Sequence, residues 1–110
     1  MPNNSSSPLP ANAPVDMSAR AAEAAALLKS LAHEGRLMIL CHLATGEKSV
    51  GELETLMDLR QARVSQMLAR LRDEGHVATR RDGKTINYRI ANPDTAEVIG
   101  LMHRIFCPDI

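Results

Sequence analysis

The pattern that most constrains the fold is a pair of predicted helices separated by a very short turn. Ser49, with Glu52 three residues later, forms a capping box, which predicts that a helix begins at this point. Residues 58–60 supply the turn, and a second helix is predicted over residues 61–74, with Gly75 in the position that ends it. Two helices in so tight a corner are typical of a helix-turn-helix.

A β-hairpin is predicted directly after the second helix. Residues 77–81 and 84–90 alternate like strands, and Asp82-Gly83 between them is a strong hairpin-turn signal. A helix-turn-helix followed by a hairpin predicts a winged helix-turn-helix, which places one helix in the major groove of DNA. The expected fold class is therefore mainly α with a small β-hairpin.

The second predicted helix has an apolar face and a polar face. The apolar face repeats at i, i+3, i+4 and i+7 and predicts the buried stripe: Val64, Met67, Leu68 and Leu71. Arg and Gln on the other face have forked donors and acceptors that match guanine and adenine edges. An ordinary solvated helix face is the alternative, and the neighbouring hairpin disfavours it. The DNA-contacting residues predicted for this helix are Arg60, Gln61, Arg63, Ser65, Gln66 and Arg70.

Positive charge is concentrated in the same segment. The whole chain holds 13 basic and 13 acidic side chains, but residues 60–89 contain eight basic and three acidic ones, a net charge of +5. A local positive patch attracts phosphates without making the whole protein basic. Three of these side chains surround the hairpin turn and are expected to touch the DNA backbone or minor groove: Arg80, Arg81 and Lys84.

The rest of the sequence indicates one small domain with a tail. Residues 1–16 hold four Pro, three Asn and three Ser, so we expect a disordered tail followed by one domain over residues 17–110. The pattern of a signal peptide and an apolar run of membrane-spanning length are both missing, which favours a cytoplasmic protein. Tyr88 and Phe106 are the only aromatic residues, which disfavours stacking on single-stranded nucleic acid and favours double-stranded DNA.

Three further helices are predicted outside this unit. Residues 17–31 and 34–44 precede it, and Asn92 with Pro93 begins a last helix that stops before Pro108. The residues expected to face inward on the first two are Ala21, Ala24, Ala25, Leu28, Leu31, Leu37, Leu40, Cys41 and Ala44. The first and last helices hold more apolar surface than so small a core needs, so we expect a homodimer packed through them. A twofold dimer would present two copies of the predicted DNA-contacting helix over residues 61–74, the reading helix, to a palindromic operator.

Three segments resemble the ArsR/SmtB family of winged-helix repressors: residues 31–36, 59–68 and 71–77. The resemblance covers about residues 19–107. It implies a dimeric repressor with four helices, a wing and a fifth helix, which dimerises through the first and last helices and releases DNA when an inducer binds. Arg60 departs from the pattern, since many members have a capping Ser there, and Asp58 or water would then cap the reading helix.

The metal-binding motifs of that family give a first test of whether the inducer is a metal ion. Soft-metal sensors carry a Cys pair at the start of the first helix of the helix-turn-helix, where this chain has residues 50–54 without cysteine. Zinc sensors carry Asp-x-His and His-x-x-Glu on the last helix, but here Asp94 precedes Ala96 and His103 precedes Phe106. We therefore expect no metal and no cofactor. The remaining metal alternative is a mixed site of Cys41, His42, His103 and Cys107.

The two cysteines are a sharper signal. Cys41 lies on the second predicted helix and Cys107 on the last turn of the fifth, and free cysteines are usually small buried apolar residues. Their placement is nevertheless similar to that in the dithiol persulfide sensors of this family, the SqrR and BigR type. The resemblance implies that reactive sulfur species crosslink Cys41 to Cys107, release the operator and so control genes for sulfide oxidation. His103 and Arg104 are candidate modulators of the Cys107 thiolate.

Two other kinds of inducer stay open from the sequence. The chain would act as a general thiol redox sensor if peroxide closed the pair, or as a metal-responsive repressor if the mixed site held an ion. An enzyme is not expected, because the chain offers neither a Cys-x-x-Cys motif nor a Cys with a clearly oriented His.

Overall fold

The computed structural model describes residues 8–13 and 16–107 and has the expected winged helix-turn-helix fold. Its elements in chain order are α1 (Ala21–Leu31), α2 (Glu34–Leu43), β1 (Lys48–Ser49), α3 (Val50–Met57), α4 (Gln61–Asp73), β2 (Val77–Asp82), β3 (Thr85–Ile90) and α5 (Pro93–Phe106). The tail predicted for residues 1–16 lies largely outside the described residues, so its boundary stays a prediction. Among the described helices, none is both long and apolar enough to cross a membrane.

The first helix begins later than the sequence predicts. The predicted start at residue 17 falls in a turn, where the amide of Arg20 donates to the carbonyl of Met17 at 3.0 Å. The Ser18 hydroxyl also donates to the Asp16 carboxylate at 3.0 Å. Local bonds of this kind satisfy polar groups without a helix, so α1 starts only at Ala21.

The inward faces of α1 and α2 differ in part from the prediction. Leu28 is 60% exposed, and Leu27 packs against the core in its place, one turn before the buried Leu31. Three alanines that were also predicted to face inward are exposed: Ala21, Ala25 and Ala44. Because α2 packs against both α4 and α5, it needs two apolar stripes rather than one. Its fully buried residues are Ile39, Leu40 and Leu43.

The fourth helix buries the predicted stripe. Its four apolar residues, each at most 7% exposed, are Val64, Met67, Leu68 and Leu71. They meet residues from the other elements in one core, completed by Leu31, Ile39, Leu40, Leu43, Leu53, Val77 and Ile99. Burial of this stripe fixes which face of α4 points to solvent.

The two ends of α3 are capped in different ways. The capping box is confirmed: the amide of Ser49 donates to Glu52 Oε1 at 2.9 Å, and the amide of Glu52 donates to Ser49 Oγ at 3.2 Å. Of the two caps expected for the reading helix, Asp58 or water, Asp58 is wrong, because it takes a left-handed conformation (φ 53°) that ends α3. Arg60 occupies the N-cap of α4 without a side-chain hydrogen bond.

The end of α4 is a Schellman motif. Gly75 has a φ of 83°, and its amide donates to the carbonyl of Arg72 at 3.0 Å. The next amide, that of His76, donates to the carbonyl of Leu71 at 2.9 Å. This pair of bonds needs a residue with positive φ at the first position, which confirms the stop predicted at Gly75.

The sheet has three antiparallel strands in the order β1-β3-β2. Asp82 pairs with Thr85, so the hairpin loop is Gly83 and Lys84, one residue later than the predicted Asp82-Gly83. Of these two loop residues only Gly83 has a positive φ (64°), as a type II′ turn requires. The sequence pattern missed β1, because Lys48–Ser49 is too short to show alternation.

The last helix begins and ends close to the predicted residues. Asn92 Oδ1 accepts from the amide of Asp94 at 2.9 Å, and Pro93 occupies the first helical position, which confirms the predicted cap. The helix ends at Phe106, so Cys107 is its C-cap, one residue beyond the last turn where it was expected. The predicted stop at Pro108 lies outside the described residues.

Candidate nucleic-acid interface and thiol pair

The outward face of α4 and the tip of the β2–β3 hairpin, the wing, carry the predicted DNA-contacting residues. Ser65 is half-buried on the edge of that face. The others are exposed: Arg60, Gln61, Arg63, Gln66, Arg70, Arg80, Arg81 and Lys84. With the apolar stripe of α4 in the core, the predicted DNA-contacting residues of the helix form an exposed polar surface, and those of the wing surround the hairpin turn.

One arginine of this surface is paired with a carboxylate of its own helix end. Arg70 Nε donates to Glu74 Oε2 at 2.5 Å, and the side chain of Arg70 is 59% exposed. The hydroxyl of Ser30 on α1 donates to the other carboxylate oxygen of Glu74. The Ser30 hydrogen bond, followed by that from Arg70, lowers the pKa of Glu74, so the carboxylate is ionised at neutral pH. The i,i+4 spacing of Arg70 and Glu74 was readable from the sequence, whereas the contact with Ser30 was not.

A wing arginine is also paired. Nε and Nη2 of Arg80 lie 2.9 and 2.8 Å from Glu47 Oε1, in the loop before β1. The Arg80 hydrogen bond lowers the pKa of the Glu47 carboxyl. Successive side chains of a strand point to opposite faces, so Arg81 lies on the other face of the wing from Arg80. Arg80 and Arg81 therefore lie on opposite faces of the hairpin and do not form one positively charged surface at its tip.

Both cysteines are free thiols in neighbouring elements. Cys41 on α2 and Cys107 at the end of α5 are each half-buried, and α2 packs against α5. The pKa of Cys41 is raised, first because burial disfavours the thiolate and second because a charge on Cys107 would repel it. A thiolate at Cys107 would therefore influence the ionisation of Cys41.

A cavity of about 210 Å³ opens beside Cys41, between α2 and α5. Its lining is Cys41, Ala44, Thr45, Ile99 and His103. His103, predicted to modulate Cys107, therefore lies beside the other thiol as well, while its carbonyl accepts from the amide of Cys107 at 2.8 Å. Arg104 is exposed, and within the described ranges it takes part in no ion pair.

The cysteines and histidines do not assemble a metal site. Within residues 8–13 and 16–107, no group of three or more His, Cys, Asp or Glu side chains is placed to hold an ion. The arrangement of these residues thus lacks the mixed site considered from the sequence, namely Cys41, His42, His103 and Cys107.

A buried histidine joins three parts of the fold. The His76 ring is 3% exposed, with Nδ1 2.7 Å from Thr95 Oγ1 on α5 and Nε2 2.7 Å from Ser30 Oγ on α1. Burial lowers the pKa of His76, the negative charge of Glu74 opposes that shift, and the positive charge of Arg36 adds to it. Sequence reasoning assigned no role to His76, since its partners are 46 and 19 residues away along the chain.

Comparison with known proteins gives a consistent result. The family described as "Bacterial regulatory protein, arsR family" matches residues 33–79, which contain α2, α3 and α4. A biofilm growth-associated repressor from Agrobacterium fabrum is 52% identical over 100 residues, 91% of this chain and 81% of that protein.

Two solved structures extend the similarity to the whole fold. The transcriptional repressor BigR from Xylella fastidiosa has a TM-score of 0.77 and 46% identity, covering 84% of this chain and 92% of that one. Reduced HlyU from Vibrio cholerae has a TM-score of 0.79 and 42% identity, covering 84% of this chain and 97% of that one.

Proposed function

Because this chain belongs to the arsR family of bacterial regulatory proteins and is a DNA-binding transcriptional repressor, we propose that reactive sulfur species are its inducer. The observation that carries the proposal is that Cys41 on α2 and Cys107 at the end of α5 are free, half-buried thiols on two helices that pack together. The similarity to a structure of HlyU that is described as reduced also supports it. The regulated genes would include those for sulfide oxidation.

Thiol chemistry at this pair proceeds by exchange with a low-molecular-weight persulfide. We assign the first attack to Cys107, because burial raises the pKa of the Cys41 thiol and so disfavours its thiolate. The Cys107 thiolate takes the outer sulfur of the persulfide, and the small thiolate leaves. Cys41 reacts in the same way. The two protein persulfides then condense to a trisulfide bridge and release hydrogen sulfide, so atoms and electrons balance.

Selectivity for sulfur over peroxide would come from the space between the two helices. A direct disulfide needs Cα atoms within about 7 Å and correctly aimed side chains. The cavity of about 210 Å³ beside Cys41 leaves room for additional sulfur atoms in a longer bridge. Peroxide supplies no sulfur atom, so it could form only the shorter crosslink.

Homodimerisation links this chemistry to DNA. Exposed apolar side chains lie on α1 and α5: Leu28, Leu101, Ile105 and Phe106. We propose that a second copy covers them, so that two α4 helices face half-sites about 34–36 Å apart, or a multiple of that, on a palindromic operator. A bridge from Cys107 to Cys41 would pin the end of α5 to α2 next to this face and change the spacing of the reading helices.

Single cysteine variants test the proposal. The probe is a duplex selected from a random-sequence library by the reduced wild-type protein. Cys41→Ser and Cys107→Ser should each bind this duplex as the reduced wild type does, and neither should lose affinity after treatment with glutathione persulfide. A variant that still responds fully to persulfide would overturn the assignment of its cysteine.

A further inference from the structure

We propose that Glu74 is a positioning residue that holds Arg70 of α4 away from DNA phosphate and so limits the affinity for DNA. The inference rests on the DNA-binding role proposed for the outward face of α4, but it does not depend on the cysteines. An exposed i,i+4 ion pair alone restrains a side chain weakly. Here the carboxylate is held at both oxygens, by Arg70 on one side and by Ser30 of α1 on the other.

The bond from Ser30 is part of a hydrogen-bond chain that runs from the exposed Glu74 to the buried His76 and Thr95. The carboxylate of Glu74 carries no proton, so the Ser30 hydroxyl must donate to it. That hydroxyl has no second proton, so His76 Nε2–H donates to Ser30 Oγ, and Nδ1 accepts from the Thr95 hydroxyl. Each member of the chain has a donor and an acceptor that match, as expected for a neutral His76.

A second contact fixes the backbone of Ser30. Arg36 Nε on α2 donates to the carbonyl of Ser30 at 3.0 Å. Because α1, α2 and α5 all converge on Ser30 and His76, the position of Glu74 is set by the folded domain rather than by α4 alone. Satisfied networks of this kind are more rigid than single exposed pairs.

The consequence for DNA binding is electrostatic. A paired Arg70 does not release a counterion from a phosphate, and an ionised Glu74 on the same surface repels phosphates. Both effects weaken the binding of DNA. Removing the charge of Glu74 should therefore free Arg70 and add one phosphate contact.

The test is the salt dependence of binding by the reduced protein to a mixed-sequence DNA duplex, which needs no knowledge of the operator. Glu74→Gln keeps an amide oxygen that can accept from Ser30. Asp73→Asn is the matched control, because it removes the same charge from a neighbouring exposed residue that has no ion pair in the described part of the chain. We expect the slope of log affinity against log salt to steepen by about 0.9 in Glu74→Gln relative to Asp73→Asn.

Arg70→Gln makes the test independent of how well Glu74→Gln folds. In the Glu74→Gln background it should remove the gain in slope, because the proposed phosphate contact is made by Arg70 only when Glu74 no longer holds it. Equal slopes for Glu74→Gln and Asp73→Asn, a shallower slope for Glu74→Gln, or a loss of about 0.9 in Arg70→Gln alone would each overturn the proposal. If the wild type showed no salt-dependent binding to the duplex, the DNA-binding role of the surface would fail instead.

Discussion

His76 and Thr95 connect the start of the wing to α5 inside the core: Nδ1 lies 2.7 Å from Thr95 Oγ1, and the two residues are 3% and 0% exposed. Thr95→Val keeps the shape of the side chain but leaves the ring nitrogen without its donor. The free energy of unfolding should fall by about 1–3 kcal/mol in urea denaturation. Thr85→Val, at an exposed position of the wing, is the control and should change stability by no more than about 0.5 kcal/mol. Equal losses in both variants would show that the hydrogen bond is not the cause.

The lowered pKa of His76 predicts how stability depends on pH. The unfolded chain has the ordinary value near 6.5, above the folded value, so it binds more protons in the window between them. The contribution of His76 is therefore complete above about pH 6.5 and is lost as the pH falls from there through the folded pKa, by at most about 1.4 kcal/mol per pH unit. His76→Gln should be less stable at neutral pH, and its difference from the wild type should shrink below about pH 6.5. A difference that stays constant or widens on acidification would contradict this sign.

The proposed dimer predicts that substituting an exposed apolar residue weakens dimerisation only where that residue lies in the interface. Phe106 is 75% exposed at the end of α5, and burial of a side chain of this size contributes about 1.5–3 kcal/mol. Phe106→Glu should raise the dimer dissociation constant at least about tenfold, measured by sedimentation over a dilution series. Leu56→Glu is the matched control, because Leu56 is 50% exposed on α3, outside the proposed interface. Dissociation by Leu56→Glu alone would place the interface elsewhere.

The proposed roles of α4 and the wing differ in kind and can be separated. Gln66 is expected to read a base edge, so Gln66→Ala should weaken binding to the selected duplex by about 1–3 kcal/mol and leave binding to mixed-sequence DNA nearly unchanged. Lys84 at the wing tip is expected to contact phosphate, so Lys84→Gln should weaken both and reduce the salt slope by about 0.9. The same pattern for both variants would contradict this division of roles.

Local sequence signals predicted most of the elements and the boundaries of several. The capping box at Ser49, the stop at Gly75 and the cap at Asn92 each involve residues within five positions of one another, so their patterns can be read directly. The wrong cap at Asp58 has the same local origin, since one Asp can begin a helix or end the previous one in a left-handed conformation.

Contacts between distant residues could not be predicted in this way. Ser30 and Glu74 are 44 residues apart, and they meet only because α1 packs beside the end of α4. Leu28 shows the same limit on α1: the helix has several apolar residues, and tertiary packing rather than periodicity selects Leu27 for the core. The role of Cys41 and Cys107 as a sensing pair was predicted from a family resemblance, and their chemistry is a proposal.

The most direct test of the sulfur-sensing account is the intact mass of the reduced protein after separate treatment with glutathione persulfide, hydrogen peroxide or zinc, followed by alkylation under non-reducing conditions. The same samples are titrated with the selected duplex. The account predicts that persulfide alone adds one sulfur atom and removes two hydrogens, blocks both Cys41 and Cys107 from alkylation and lowers affinity for the duplex. A loss of only two hydrogens with peroxide, together with lost DNA affinity, would make the protein a general redox sensor. Retained zinc with unchanged thiols under persulfide, or equal DNA affinity of the reduced and bridged forms, would contradict the account.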